Sequence, residues 1–181
     1  MGGVIVAHVT ATGAADYFTR RDAHRQAHIE RLVTLRGNGA LVAGGPAPDG
    51  RTAEIFYRLK RPTDLRPIVE EDPYYTGGVW TAYTSRTFAQ FVEPWEAAPV
   101  VLDGSRRLTL VEGPATDPDM AQLALVELRG AGRLLLGGFL DRSVTLAALR
   151  SGDGAEAAGW LAETGFWPAE HLTTRTWLHV L

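Results

Sequence analysis

The chain contains no cysteine, no long apolar run and no cluster of basic residues. Without cysteine it can form no disulfide, no thiolate nucleophile and no cysteine-ligated metal site. No stretch reaches the length that crosses a bilayer, and the first residues, MGGVIVAHV, lack the basic start and long apolar core of a signal peptide. The net charge of −3 argues against nucleic-acid binding. These absences predict a cytoplasmic protein that binds a small molecule, without a nucleic-acid or membrane partner.

An internal repeat is the strongest pattern that is present. Residues 35–45 read LRGNGALVAGG and residues 128–138 read LRGAGRLLLGG, so seven of eleven positions are identical at an offset of 128 − 35 = 93. Two copies in register indicate a duplicated domain. We predict a first unit at 1–95, a linker at 96–105 and a degenerate second repeat at 106–181.

Each copy shows the same order of predicted elements, βαββαβ. In the first copy the predicted strands and helices are, in chain order, 4–9, 14–36 (helix), 40–45, 52–59, 62–72 (helix) and 79–92. In the second copy they are 107–113, 117–129 (helix), 133–138, 143–149, 153–164 (helix) and 173–181. This order predicts an α+β fold of two tandem ferredoxin-like units. Because one such unit leaves a sheet face bare, we expect the units to pack sheet to sheet as an intramolecular dimeric α/β barrel, in a monomer with an internal pseudo-dimer or in a homodimer.

One stripe of the first predicted helix changes from polar to apolar along its length. Arg21, Arg25, His28, Leu32 and Leu35 follow at spacings of 4, 3, 4 and 3, which places them on one helix face. The apolar end belongs in a core, and the polar end could line a pocket. The alternative is that the helix emerges there into solvent and carries ordinary surface side chains.

The second predicted helix carries a carboxylate on its inward stripe. Leu65, Ile68 and Asp72 are spaced by 3 and 4, which places Asp72 in the last turn, where the helix dipole disfavours a negative charge. The alternative is that Asp72 and Pro73 merely form a helix stop and turn. An inward acid near an inward His28 favours a general acid/base pair.

Three motifs of the first copy resemble the YCII family. They are RQAHIERL (25–32), GALVAGGP (39–46) and DPYYTGGV (72–79), and the chain departs from the family pattern at Gln26, where proline is usual. The resemblance implies a dimeric α/β-barrel protein whose candidate active-site residues are Arg25, His28 and Asp72. In the second copy the offset of 93 places Ala121 at the position of His28 and Gly165 at that of Asp72. A second active site is therefore not expected.

The resemblance also implies elimination or isomerisation of small ring compounds, as in dehydrochlorinases and muconolactone isomerases, without a cofactor. We expect His28 to move a proton and Asp72 to orient it. Arg21 and Arg25 would hold a carboxylate or enolate oxygen of an anionic or aromatic substrate. Tyr74 and Tyr17 are further candidate substrate-binding residues.

Three alternatives remain open at this stage. A metal site of His24, His28 and Asp72 has suitable ligand types but is disfavoured, because His24 lies off the stripe of His28. His8 shares a strand face with two valines and is either a pocket residue or a structural histidine. The barrel class also contains cofactor-free monooxygenases and haem-degrading proteins, and a non-catalytic ligand-binding or scaffold protein is the remaining interpretation.

Overall fold

The computed structural model describes residues 4–181, apart from the side chain of Gln90. The chain forms two compact units, of which the first extends to Thr87 and also includes Val180 and Leu181, and the second is Phe88–His179. This boundary lies ahead of the predicted linker, because the end of the last strand of the first repeat pairs within the second unit. Each unit is α+β with antiparallel strand pairs.

The first unit contains four strands and four short helices. The strands are β1 (Ile5–Gly13), β2 (Leu41–Pro46), β3 (Thr52–Leu59) and β4 (Trp80–Val92), of which β4 continues into the second unit. The helices are α1 (Tyr17–Arg21), α2 (Arg25–Gly37), α3 (Leu65–Glu70), which follows a 3-10 turn at Pro62–Asp64, and α4 (Pro73–Thr76).

The strand order in the first unit is β2-β3-β1-β4. Alternation along β1 and β3 gives the sheet two different faces, since residues paired across an antiparallel ladder point to the same side. One face carries the pair Ala7 and Tyr57, and the other carries the pair His8 and Phe56. The edge of β2 is closed by the chain end, where the backbone N–H of Val180 donates to the carbonyl of Gly44 (2.9 Å).

The second unit repeats this plan. Its elements are β5 (Arg107–Pro114), α5 (Pro118–Gly130), β6 (Leu134–Phe139), β7 (Val144–Leu149), α6 (Gly154–Ala162), a 3-10 turn at Ala169–His171 and β8 (Thr173–Leu178). The order is β6-β7-β5-β8, and the end of β4 pairs with β6. Ala121, Leu125 and Leu128 of α5 pack into its apolar core.

The strand pairings within each unit allow the two units to be aligned residue by residue. This alignment agrees with the offset of 93 for some strands and not for others. β2 and β6 align at 93, with Leu41 at the position of Leu134. The connection to the next strand is one residue shorter in the second unit, so Tyr57 of β3 aligns with Leu149 of β7, an offset of 149 − 57 = 92.

The prediction of one helix over 14–36 was wrong. The segment forms α1 and α2, separated by a turn at Asp22–His24. The break lets Tyr17 of α1 lie against Gly50, which has a positive φ of 70° and where any side chain would collide with the tyrosine ring. The polar stripe is therefore divided between two helices, since Arg21 ends α1 and the stripe from Arg25 onward lies on α2.

The prediction that Asp72 ends the second helix was also wrong. α3 ends at Glu70, and Asp72 has extended backbone angles (φ −67°, ψ 136°) as the N-cap of α4. Aspartate at an N-cap followed by Pro73 at the first helical position is a favoured start of a helix. The expected opposition between the Asp72 charge and a helix C-terminus therefore does not arise.

Within residues 4–181, none of the helices combines the length and apolar character needed to span a bilayer.

Candidate active site

A buried histidine–aspartate pair lies at the junction of α2 and α4. His28 Nδ1 and Asp72 Oδ1 are 2.7 Å apart, and the two residues are 6% and 0% exposed. Helix α2 presents His28 on its buried face together with Leu32. The N-cap conformation of Asp72 directs its side chain back towards α2, so two separate helix features build the pair.

The hydrogen bonds of Asp72 fix the direction of the bond to His28. Oδ1 also accepts the backbone N–H of Tyr74 at 2.8 Å. An ionised carboxylate oxygen only accepts, so beside the Asp72 carboxylate a neutral imidazole carries its proton on Nδ1. The second ring nitrogen, Nε2, then holds the lone pair, and among the described residues it has no hydrogen-bond partner. This is the arrangement of an imidazole that can accept a proton.

Aromatic rings enclose the imidazole on two sides. The Tyr74 ring stacks on His28 with 3.7 Å between centroids and an angle of 11° between planes. Trp80 at the start of β4 meets the imidazole edge to face at 5.1 Å. These contacts hold the ring in one plane and exclude water from its faces, which strengthens electrostatic interactions at the site.

The rings of Tyr17 and Tyr74 lie 6.3 Å apart, and the charges of Arg21 and Arg25 act on both hydroxyls. Burial raises the pKa of Tyr74 and also that of Tyr17, and the positive charges of Arg21 and Arg25 oppose the rise in both. The Arg21 guanidinium lies 5.7 Å from the centroid of the Tyr17 ring. The raised pKa keeps both hydroxyls protonated near neutral pH, so the group offers O–H and N–H donors to an anion.

Tyr57 and Arg31 are two residues that the sequence did not single out. Tyr57 is 0% exposed, and burial followed by the negative charge of Asp72 raises the pKa of its hydroxyl. The positive charge of Arg31 has the opposite effect and lowers the pKa of the Tyr57 hydroxyl. The Arg31 guanidinium also donates to the carbonyl of Pro67 at 3.1 Å, which connects α2 to α3. The sequence could have pointed to Arg31, because the offset of 93 pairs it with Ala124, an apolar residue. It could not have pointed to Tyr57, whose counterpart is found only from the pairing of the strands.

The other candidate histidines lie apart from this pair. The His24 ring packs against Gly77, where a side chain would collide with it. No group of three or more potential metal-binding side chains occurs within residues 4–181. On the other face of the sheet, His8 Nε2 and Glu54 Oε2 form a buried pair at 2.6 Å, and Arg86 lies 3.5 Å from His8 Nδ1.

The residues of the second unit at the offset of 93 lack this chemistry. For His28 the second unit has Ala121, which is fully buried, and for Asp72 it has Gly165, an exposed glycine with a positive φ of 83°. For Tyr74 it has Trp167, whose Nε1 donates to Thr145 Oγ1 at 2.8 Å. Because Gly165 is exposed and Asp72 is fully buried, these two residues correspond in sequence offset alone.

Comparisons with known proteins identify a fold but no sequence relative. No family model and no curated protein matches the chain. A crystallised candidate monooxygenase from Lactobacillus acidophilus NCFM is similar with a TM-score of 0.64 and 10% identity, over 98% of this chain and 94% of that one. The chain shares the α+β fold of dimeric α/β-barrel proteins.

Two further structures are similar at the same level. A candidate monooxygenase from Fusobacterium nucleatum subsp. nucleatum ATCC 25586 has a TM-score of 0.58 and 8% identity, over 98% of this chain and 93% of that one. A haem-binding protein from Thermus thermophilus has a TM-score of 0.54 and 10% identity, over 99% of this chain and 92% of that one. At these identities the likeness concerns the fold alone, and membership of the YCII family stays a prediction.

Proposed function

We propose that the first unit is a small-molecule enzyme of the lyase or isomerase type that needs no cofactor and uses His28 as its general base. The observation that carries the proposal is the buried 2.7 Å bond between His28 Nδ1 and Asp72 Oδ1, with Tyr74 N–H on the same oxygen. It holds one tautomer and leaves Nε2 as the proton acceptor.

The proposed reaction begins at a carbon acid next to a carbonyl group. Nε2 of His28 takes the proton, and the electron pair of the broken C–H bond moves to the carbonyl oxygen to form an enolate. In an isomerisation, His28 returns the proton to another carbon of the same system. In an elimination, the electron pair instead expels a leaving group, and the proton passes from His28 to water.

The proposed substrate is a small cyclic or aromatic anion. Arg21 and Arg25, with the hydroxyls of Tyr17 and Tyr74, would hold a carboxylate or the enolate oxygen where negative charge develops. The stacked rings of Tyr74 and His28 offer a flat apolar surface for a ring. Asp72 would stabilise the imidazolium that forms when His28 takes the proton.

Exchange of substrate protons for deuterium tests the proposal without a known product. The protein is incubated in D2O with enolisable cyclic carboxylates and hydroxylated aromatic rings, and loss of carbon-bound protons is followed by NMR. We expect catalysed exchange in at least one compound, and a loss of at least about 100-fold in His28→Ala.

A second histidine in the same segment provides the matched control. His24→Ala should exchange at the wild-type rate, because the His24 ring packs on Gly77 and makes no bond to Asp72. His28→Ala should fold normally, since the second unit has Ala121 at this position. Undiminished exchange in His28→Ala would refute the proposal.

We propose further that the chain is a tandem of two ferredoxin-like units. The identical strand orders, β2-β3-β1-β4 and β6-β7-β5-β8, support it.

A further inference from the structure

Helix α5 of the second unit is apolar on its outer face as well as on its inner face. The inner face packs into the core of the unit. The outer face carries Met120, Leu123 and Val126, which follow at intervals of three residues and are 43%, 57% and 40% exposed. A helix that is apolar on all sides is typical of one that is buried. The composition of α5 therefore indicates that its outer face is covered by another surface.

Trp95 extends this apolar surface at the end of the helix. Its ring is 67% exposed, and the guanidinium carbon of Arg129 lies 5.0 Å from the ring centroid. Arg129 also donates to the carbonyl of Glu93 at 2.9 Å, which connects the segment before Trp95 to α5. The surface formed by Met120, Leu123, Val126 and Trp95 is named the α5 face. It holds four of the eight large apolar side chains that are exposed within residues 4–181, a concentration typical of an interaction surface.

The first unit provides an internal comparison for the α5 face. At the offset of 93, the α2 residues at the three helix positions are Ala27, Glu30 and Val33. Glu30 accepts a hydrogen bond from Gln26 at 3.0 Å on the exposed side of α2. The position of this charged residue holds Leu123 in α5, the most exposed of the three apolar residues. The apolar outer face is therefore a property of α5 and is not required by the fold.

Charge is distributed unevenly along α5. Asp117 caps the helix and Asp119 is exposed in its first turn, whereas Arg129 lies in its last turn. Two such helices that lie side by side in opposite directions bring the acidic start of each against the basic end of the other. This orientation also brings opposite ends of the two helix dipoles together. The α5 face is therefore complementary in charge to a second copy of itself.

We propose that two copies of this chain form a dimer through an antiparallel pair of α5 helices. A two-fold axis between Leu123 and Val126 places Leu123 of each copy against the partner's Val126. The same axis places Asp119 beside the partner's Arg129. An interface of this symmetry uses the same surface on both copies and requires it to be self-complementary, as the α5 face is.

The size of the α5 face sets the expected strength of the dimer. One helix face and Trp95 form a smaller contact than the roughly 800 Å² per partner of a standard interface. We therefore expect a weak dimer, with a dissociation constant of about 1–100 μM. The dimer is independent of the proposed function, because none of its residues belongs to the candidate site of the first unit.

Sedimentation velocity of the full chain from about 1 to 500 μM measures the dissociation constant. Leu123→Glu should weaken dimerisation at least about 100-fold, because it places two carboxylates in an apolar contact. Val33→Glu is the matched control, since it puts the same charge at an exposed apolar position of α2. It should dimerise like wild type.

A mixture of two charge variants tests the antiparallel orientation. Asp119→Arg and Arg129→Asp should each dimerise more weakly than wild type, because like charges meet at both ends of the helix pair. In an equimolar mixture, each end of a heterodimer holds one arginine and one aspartate. We therefore expect the heterodimer to be tighter than either homodimer by at least about 10-fold.

A wild-type chain that stays monomeric up to the highest concentration would overturn the proposal. A Leu123→Glu variant that dimerises like wild type would do the same. A mixture of the charge variants without a preference for the heterodimer would overturn the antiparallel pairing of α5.

Discussion

At the scale of single residues, the most important atom of the candidate site is Asp72 Oδ1. It accepts one bond from the imidazole of His28 and one from the backbone of Tyr74, so one oxygen serves both the site and the start of α4. The sequence predicts the partnership of His28 and Asp72 from two inward stripes. It does not predict this geometry, because the N-cap role of Asp72 depends on where α3 ends.

Three buried tyrosines make the protein sensitive to alkaline pH. Burial raises the pKa of Tyr17, Tyr57 and Tyr74 above the ordinary value of 10.0. The unfolded chain therefore releases these protons first, so their contribution to stability is full below pH 10 and is lost as the pH rises through the folded-state values. Each tyrosine should lower the free energy of unfolding by about 1.4 kcal/mol per pH unit in that window.

Urea denaturation on both sides of pH 10 measures this slope. In Tyr57→Phe the free energy of unfolding should fall less steeply with pH than in wild type, by the amount that one proton contributes. The reason is that phenylalanine releases no proton in either the folded or the unfolded state. Tyr75→Phe, at a partly exposed tyrosine outside the group, serves as the control. Equal slopes for wild type and Tyr57→Phe would contradict the prediction.

At the scale of elements, the order of strands and helices could be predicted and the breaks within helices could not. β1, β2 and β3 coincide with alternating or continuous apolar runs, and such runs can be recognised from the local sequence. Local sequence does not mark the turn at Asp22–His24, which follows the helix whose Tyr17 packs against the distant Gly50. The counterpart of Tyr57 could not be found from the offset of 93 either. Its alignment with Leu149 depends on a hairpin connection that is one residue shorter in the second unit.

The pair of β1 and β3 on the other sheet face carries a separate prediction. The register places Leu110 and Leu146 of the second unit at His8 and Glu54 of the first, and both leucines are fully buried. His8→Leu alone leaves the Glu54 carboxylate buried without its imidazole and should destabilise the protein by about 3–5 kcal/mol.

The double variant His8→Leu/Glu54→Leu should recover most of that loss. Removing both members of a buried pair also removes the buried Glu54 charge, and apolar replacements are often neutral or stabilising. Urea titration of wild type, His8→Leu and the double variant gives the three free energies of unfolding to be compared. A double variant that is no more stable than His8→Leu would show that Glu54 is held by partners other than His8.

At the scale of the whole molecule, the two units share a strand order and differ in polarity. The positions of the second unit that match His8, His28, Tyr57 and Asp72 by register or by the offset of 93 hold apolar residues or glycine. Burying a charged pair costs free energy that a leucine at the same place does not. The first unit therefore keeps its buried pairs at a cost to stability, which favours a role beyond folding for at least the His28–Asp72 pair.

The asymmetry predicts one ligand site for each chain. A compound that undergoes exchange should bind with a stoichiometry of one per chain in isothermal titration calorimetry, because the second unit has Pro118 and Ala121 where the first has Arg25 and His28. Arg25→Ala should weaken binding of an anion by removing a guanidinium from the donor group. Pro118→Ala, the change at the matching position of the second unit, should alter neither stoichiometry nor affinity. Two equivalent sites per chain would contradict the assignment, as would a loss of binding in Pro118→Ala.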